Sequence, residues 1–385
     1  MENHKKILIF STAYYPFVGG AEVAVKEVTD RISDVRFDLI TAKFRRDLPK
    51  SERIGNVNVY RLGIGIPTLD KLFLPFWGAI YALYLNAKND YVYYWCMMAT
   101  FAGGAAYVAN IIHFWKPTPI ILTLQEGDSE EHFKKRWFGL INLSWWLALK
   151  NTKVLTVISS YLAERAKKFG YKGEIHIIPN GVDVKNFDSE LSLEERENTR
   201  VALGIKNDDI ALITTSRLVI KNGVGDVIKS LPKLPANIKF VILGEGYLEK
   251  ELKALAKKLD VSDRVIFKGF VSHIELPKYL KACDIFIRPS LSEGMGISFV
   301  EAMAAKLPVI ATPVGGIVDF LYNGETGYFC KPQNPDSIAE VVKKVIGDQN
   351  RNQIIENAYK MVVEKYNWDK IALQIKAILF KSIYD

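Results

Sequence analysis

Short apolar runs alternate with amphipathic helical patterns along the whole chain, and no other feature limits its fold as strongly. Strand-like runs are KILIFST (6–12), VRFDLITA (35–42), DYVYYWC (90–96), PIILTLQ (119–125), KVLTVIS (153–159) and IHIIPN (175–180). A second series follows: IALITTS (210–216), IKFVILGEG (238–246), RVIFKGF (264–270), CDIFIRPS (283–290) and LPVIATP (307–313). Helical segments such as GAEVAVKEVTDRIS (20–33), YLEKELKALAKKLD (247–260) and PDSIAEVVKKVIG (335–347) separate them. Strands alternating with helices imply an α/β fold of parallel sheets covered on both faces. The chain has 385 residues, more than one hydrophobic core usually serves. The pattern restarts after IPNGVDVKNFDSELSLEERE, whose turn residues and acidic, poorly apolar composition place a linker near residues 180–195. Two doubly wound, Rossmann-like domains are therefore expected, 1–182 and 183–366, facing a central cleft.

In such sheets ligands bind beyond the carboxyl ends of the strands, so the strand-to-helix loops are where chemistry is sought. In YYPFVGGAE (14–22), Gly19 and Gly20 would bare backbone N–H groups at a helix start, for an anion or a sugar, or simply make a tight turn. In TSRLVIKNGVGDVI (215–228), Arg217 and Lys221 leave a strand end together and suit a diphosphate; the plainer reading is a solvated basic loop. LGEGYLE (243–249) fails the dinucleotide fingerprint, because Glu249 stands at its third glycine position. In SLSEGMGISFVEAMA (290–304), the backbone of Gly294, Met295, Gly296, Ile297 and Ser298 leads into a helix and can cradle a phosphate. Glu301 lies one to two turns on, roughly 5–10 Å by helix rise, the step from a diphosphate to a ribose. Glu293 lies on the other side of the cradle, where an attached sugar would project. The plainer reading of these acids and glycines is helix-start and turn chemistry.

Charge and cysteines bound the partners. Residues 1–180 hold 23 Lys and Arg against 16 Asp and Glu, a net +7, whereas the remainder is 28 against 27, a net +1. A basic half suits an anionic partner (membrane surface, phosphorylated lipid or nucleic acid) or a solvated surface without one. No nucleic-acid motif or basic-aromatic repeat is present, so nucleic acid is not expected. Cys96, Cys283 and Cys330 lie far apart and form neither metal-ligand spacing nor a disulfide framework, which points to a reducing, cytoplasmic compartment. The start MENHKKILIFSTAYYP reads as a first strand rather than a signal peptide. The stretch WFGLINLSWWLALK (137–150) is too short to span a membrane; it reads as a buried helix, or as one lying in a lipid interface behind Lys134, Lys135 and Arg136.

In this order the motifs resemble the family 4 retaining glycosyltransferases of the GT-B fold (glycosyl transferases group 1). The likeness runs through Pro16, Gly19, Gly20 and Glu22, then IPNGVD (178–183), the Arg-Leu-Val loop, the E-x7-E pair Glu293 and Glu301, VGG (314–316) and NGETGY (323–328). The resemblance implies two Rossmann-like domains, the second binding a nucleotide-sugar donor. It implies that Arg217 and Lys221 neutralise the diphosphate, Glu301 holds the ribose and Glu293 the transferred sugar. The backbone near Phe270 and Val271 would face the base, and Gly19 and Gly20 would border acceptor and donor phosphates. The last segment, 367–385, resembles the family's closing helix, which crosses back to the first domain.

Two positions depart from the family. Asn222 stands where the family has Lys before the glycine, and Lys221 takes over that charge. Gln125 stands where the family often has His; it can hydrogen-bond a sugar hydroxyl but cannot act as acid or base. Asp128 and His132 follow it closely, Asp128 being a second acceptor-side candidate. The resemblance implies transfer of a hexose with retention by front-face attack, without a metal or other cofactor. The acceptor is expected to be a glycan or lipid-linked, in cell-surface glycan or glycolipid assembly, at the inner face of a membrane. A sugar-nucleotide 2-epimerase of the same architecture and a non-catalytic, membrane-associated nucleotide-sugar binder are the alternatives.

Overall fold

The structure, a computed structural model, describes residues 5–127 and 140–384. The chain divides into two compact units, Met1–Asn180 with Trp368–Asp385, and Gly181–Asn367. Strands of the first unit are β1 (Lys5–Phe10), β2 (Val35–Ala42), β3 (Ser51–Ile54), β4 (Val57–Leu62), β5 (Tyr91–Met97), β6 (Ile120–Leu124), β7 (Val154–Val157) and β8 (Ile175–Ile177). They form one sheet in the order β3-β4-β2-β1-β5-β6-β7-β8. All neighbours are parallel except β3 and β4. The sequence reading missed that edge hairpin. SERI and VNVYRL carry polar and charged residues, and β4 alternates buried and exposed positions instead of running continuously apolar.

Helix Gly20–Arg31 and the last helix, Trp368–Tyr384, share one face of this sheet. Trp368, Ile371, Ile375 and Leu379 recur at helical spacing and bury against a core that includes Val25, Val28, Phe37 and Tyr93. Arg31 Nε meets Asp369 Oδ1 at 2.7 Å at the edge of that contact.

The second unit holds β9 (Ile210–Thr215), β10 (Ile238–Leu243), β11 (Val265–Gly269), β12 (Ile285–Arg288), β13 (Val309–Ala311) and β14 (Tyr328–Phe329). Their order is β11-β10-β9-β12-β13-β14, all parallel, so the carboxyl ends lie along one edge. The chain enters this unit at Gly181 and leaves it at Asn367, where Val182 N donates to Tyr366 O at 2.7 Å. The acidic stretch expected as linker folds instead into helices Val184–Asp188 and Leu193–Ala202, the second opened by a Ser192–Glu195 capping box.

Helix Leu140–Lys150 buries one side, as the core reading of its sequence expects, and exposes the other. Trp145, Ala148 and Leu149 are buried, while Leu143 and Trp146 are exposed. Lys134, Lys135, Arg136 and Trp137 lie outside the described residues.

Helix Pro67–Asn86 starts on a buried acid. Asp70 is fully buried and accepts from the backbone N–H groups of Phe44 (3.1 Å), Ile64 (2.8 Å) and Gly65 (2.8 Å). Asp70→Ala strands those three donors. It is expected to cost about 3 kcal/mol, or roughly 6–12 °C in Tm for a unit of this size, read by thermal unfolding followed by circular dichroism. An unchanged Tm would contradict the anchoring role.

Candidate functional site

The loops after β9, β12 and β13 are locked together at one edge of the second sheet. Gly223 has φ +68°, and a Cβ there would stand 2.1 Å from Pro289 O; Leu291 N donates to Lys221 O at 2.7 Å. Gly315 has φ +56°, and its Cβ would stand 1.9 Å from Glu293 O. Only glycine permits these two approaches, which bring the 217–223, 289–296 and 314–316 loops into contact. The 217–223 turn is closed by buried Asn222, whose Nδ2 donates to Arg217 O at 2.7 Å. Asn222 thus faces inward, while Arg217 is exposed and Lys221 half-buried.

Glu293 and Glu301 are both held, but by different partners. Glu293 Oε1 accepts from Arg288 Nη2 at 2.7 Å and from Ser290 Oγ at 3.1 Å. Glu301 is 6% exposed, and its Oε1 lies 2.9 Å from His273 Nε2. His273 packs edge-on against Phe187, with ring centroids 5.3 Å apart. Glu293 precedes helix Ile297–Ala304, whose N-cap is Gly296, and Glu301 lies on the helix itself. Gly294 and Met295 are buried just before it. The first amides of a helix have no partner within it. Beside them Ser298 Oγ is buried with no hydrogen-bond partner among the described residues, and Ser216 Oγ, after β9, is in the same condition. Buried hydroxyls are normally satisfied, so a row of helix amides beside an orphan hydroxyl has the chemistry of an anion site. Phe270 is 70% exposed, with its N–H 3.4 Å from Glu245 Oε1, and Val271 is half-buried.

In the first unit the structure gathers a second, smaller group. Gln125, just past β6, exchanges two amide hydrogen bonds with Asn180, of 3.2 and 3.0 Å. A Cβ on Gly20 would stand 3.6 Å from Asn180 Nδ2. Gly19 is the N-cap of the same helix. Next to Gln125, Glu126 is buried and accepts from Ala99 N (2.6 Å) and Gln125 N (3.0 Å). Burial pushes its carboxyl up to about 7, against the pull of those amides. Asp128 and His132 lie outside the described residues.

Sequence reasoning missed Arg288, His273, Asn180 and Glu126. Arg288 is the one cation in the strand-like CDIFIRPS, a signal that was available. Asn180 sat within a motif taken as linker, and His273 lies two residues beyond the pair assigned to the base. Glu126 carried no signal beyond its neighbour.

Because the folded-state value of Glu126 is raised, its contribution to stability is full below the ordinary carboxylate range and is lost as pH rises to about 7. Relative to Glu126→Gln, the wild type should be favoured most at about pH 4 and below and lose about 3 kcal/mol of that advantage by about pH 8. Thermal unfolding of both proteins across pH reads the difference; a flat difference would contradict the assignment.

The Glycosyltransferase Family 4 model matches residues 18–186 and the Glycosyl transferases group 1 model residues 195–361. An uncharacterized glycosyltransferase of Methanocaldococcus jannaschii is 31% identical over 384 residues, covering 95% of this chain and 96% of its own. The GDP-mannose-dependent alpha-(1-6)-phosphatidylinositol monomannoside mannosyltransferase of Mycobacterium tuberculosis is 30% identical over 240 residues, 59% of this chain and 62% of its own. Among solved structures, HepE of Anabaena in complex with UDP-glucose superposes with TM-score 0.80 over 98% of this chain and 99% of that one, at 22% identity. That likeness establishes the GT-B fold.

Proposed function

The chain belongs to the group 1, family 4 glycosyltransferases, and from that membership we propose that it moves a hexose from a nucleoside-diphosphate sugar to an acceptor hydroxyl, with retention at the anomeric carbon. The observation that carries this reading is the orphan hydroxyl of Ser298 at a helix N-terminus between two fixed carboxylates. The diphosphate lies on the amides of Gly294, Met295, Gly296, Ile297 and Ser298, with Arg217 and Lys221 as its counter-charges. Glu301, oriented by His273, accepts the ribose hydroxyls. Glu293 Oε1 is engaged by Arg288, so Oε2 takes a hydroxyl of the transferred sugar. Phe270 and Val271 border the base.

The acceptor is taken by the first unit, at the group formed by Gly20, Gln125 and Asn180. Its hydroxyl oxygen bonds to the anomeric carbon on the face from which the phosphate leaves. The bond from that carbon to the phosphate oxygen breaks, and the acceptor's proton passes to the departing phosphate. The protein supplies position and charge stabilisation, and needs no metal for it, because Arg217, Lys221 and the helix amides meet the developing negative charge. A glycan or lipid-linked acceptor is supported by the name of the M. tuberculosis relative, whose acceptor is a phosphatidylinositol mannoside. Three buried free cysteines support a reducing, cytoplasmic setting.

Thermal unfolding with millimolar UDP-glucose, GDP-mannose and other nucleotide-sugars tests the reading. A ligand at about 100 times its Kd stabilises by about 2.7 kcal/mol, a readily measured rise in Tm. Glu301→Ala is expected to abolish the rise. Glu293→Ala should keep most of it and slow transfer about ten-fold or more. Unchanged donor affinity in Glu301→Ala would overturn the ribose assignment. Stabilisation by none of the donors would overturn the donor site as drawn.

A further inference from the structure

Helix Pro67–Asn86 is apolar on the side that faces water. Its buried side is made of Asp70, Leu74, Gly78, Ala79, Ala82 and Leu85. Its exposed side carries Leu72, Phe73, Phe76, Ile80 and Tyr84, with Phe76 60% and Ile80 65% exposed. At about 100° per residue these five fall within roughly 120° of the helix circumference, a single stripe. No charged residue occurs between Lys71 and Lys88. A surface helix ordinarily reserves this side for charged and polar residues.

The stripe has apolar neighbours. Helix Ala102–Ile112 packs against the first through small residues: a Cβ on Gly78 would stand 2.7 Å from that of Ala105, and one on Gly104 3.3 Å from Pro75. Just past its end Phe114 and Trp115 are 75% and 68% exposed. Helix Leu140–Lys150 adds exposed Trp146. Apolar patches of this extent on a soluble surface mark interaction sites.

Among the described residues, the charges beside these rings are lysines. Lys71 Nζ lies 4.6 Å from the ring of Phe101, Lys88 Nζ 4.1 Å from that of Tyr84, and Lys150 Nζ 4.9 Å from that of Trp146. The cations thus lie along the aromatic rings, as lysines do at a lipid interface. From Lys71 to Gln125 the one carboxylate is Asp90, 3.9 Å from Lys116. A second copy docking by the same patch would set lysine against lysine, whereas an anionic lipid surface complements them. Among the described residues no helix is long and apolar enough to cross a membrane.

We propose that the exposed stripe of helix Pro67–Asn86, with Phe114, Trp115 and Trp146, is a docking face that lies in the interface of an anionic lipid bilayer. The aromatic and aliphatic side chains enter the acyl boundary, and the lysines reach the headgroups. None of the residues of this face is among those assigned to donor or acceptor, and its test needs neither.

The 385-residue chain is sedimented with vesicles of phosphatidylcholine containing about one third phosphatidylglycerol, and with vesicles of phosphatidylcholine alone. Binding to the mixed vesicles is expected, weakening with salt and with removal of phosphatidylglycerol. The triple variant Phe76→Ser, Ile80→Ser, Tyr84→Ser, changed only at exposed positions, should keep its Tm and lose at least about ten-fold in vesicle affinity. Should it fail to fold, Trp115→Ser carries the same test. Absence of binding to the mixed vesicles at low salt would overturn the proposal, as would equal binding by a folded variant. Self-association in place of vesicle binding, abolished by the triple variant, would assign the face to a second copy.

Discussion

Arg288 leaves the end of β12 with its guanidinium engaged on several sides. Nη1 donates to Thr215 O at 3.2 Å, Nε to Ser290 Oγ at 3.1 Å and Nη2 to Glu293 Oε1 at 2.7 Å, and the ring of Phe299 lies 4.4 Å from its centre. Those partners belong to the end of β9, the loop after β12 and the helix that follows. A guanidinium stays charged at any physiological pH, so burying it requires that its donors be met, and loss of a partner leaves an uncompensated buried charge. The position of Glu293 is therefore set by the sheet through Arg288, rather than by its own glycine-flanked loop.

The same edge holds Glu301 through His273, on the loop after β11. Both carboxylates are thus held by side chains of the same unit, so the cost of ordering them falls on folding. Between them the chain leaves buried Ser298 without a partner, although burial of an unbonded hydroxyl opposes folding.

Most of the strands were legible because parallel strands buried on both faces read as continuous apolar runs, and KILIFST, IALITTS and CDIFIRPS are of that kind. The β3–β4 hairpin was not, because an edge pair needs only one apolar face and SERI scarcely has one. Arg217, Lys221, Glu293 and Glu301 could be singled out because glycines and a strand end flank them. Of the partners that orient the carboxylates, Arg288 left a signal as the lone cation of an apolar strand, whereas His273 left none. Arg288 to Glu293 is a local pairing five positions apart, whereas His273 to Glu301 and Gln125 to Asn180 join residues 28 and 55 positions apart. Periodicity carries no information about such distant pairings.

Helix Pro67–Asn86 illustrates a separate limit. What the fold requires of it is supplied on one side: Asp70 gathers three backbone donors, and Gly78, Ala79 and Ala82 allow close packing. Nothing in that set calls for Phe76, Ile80 or Tyr84, since charged residues at those positions would leave every buried contact intact. Large apolar groups in water favour non-specific association, so the fold gains nothing from them and solubility loses. The basic excess of residues 1–180 opposes self-association but favours an anionic surface. On the proposed docking face, apolar residues would supply affinity for such a surface and lysines its sign, and both occur on one stretch of chain because a single helix can present a stripe and its two ends at once.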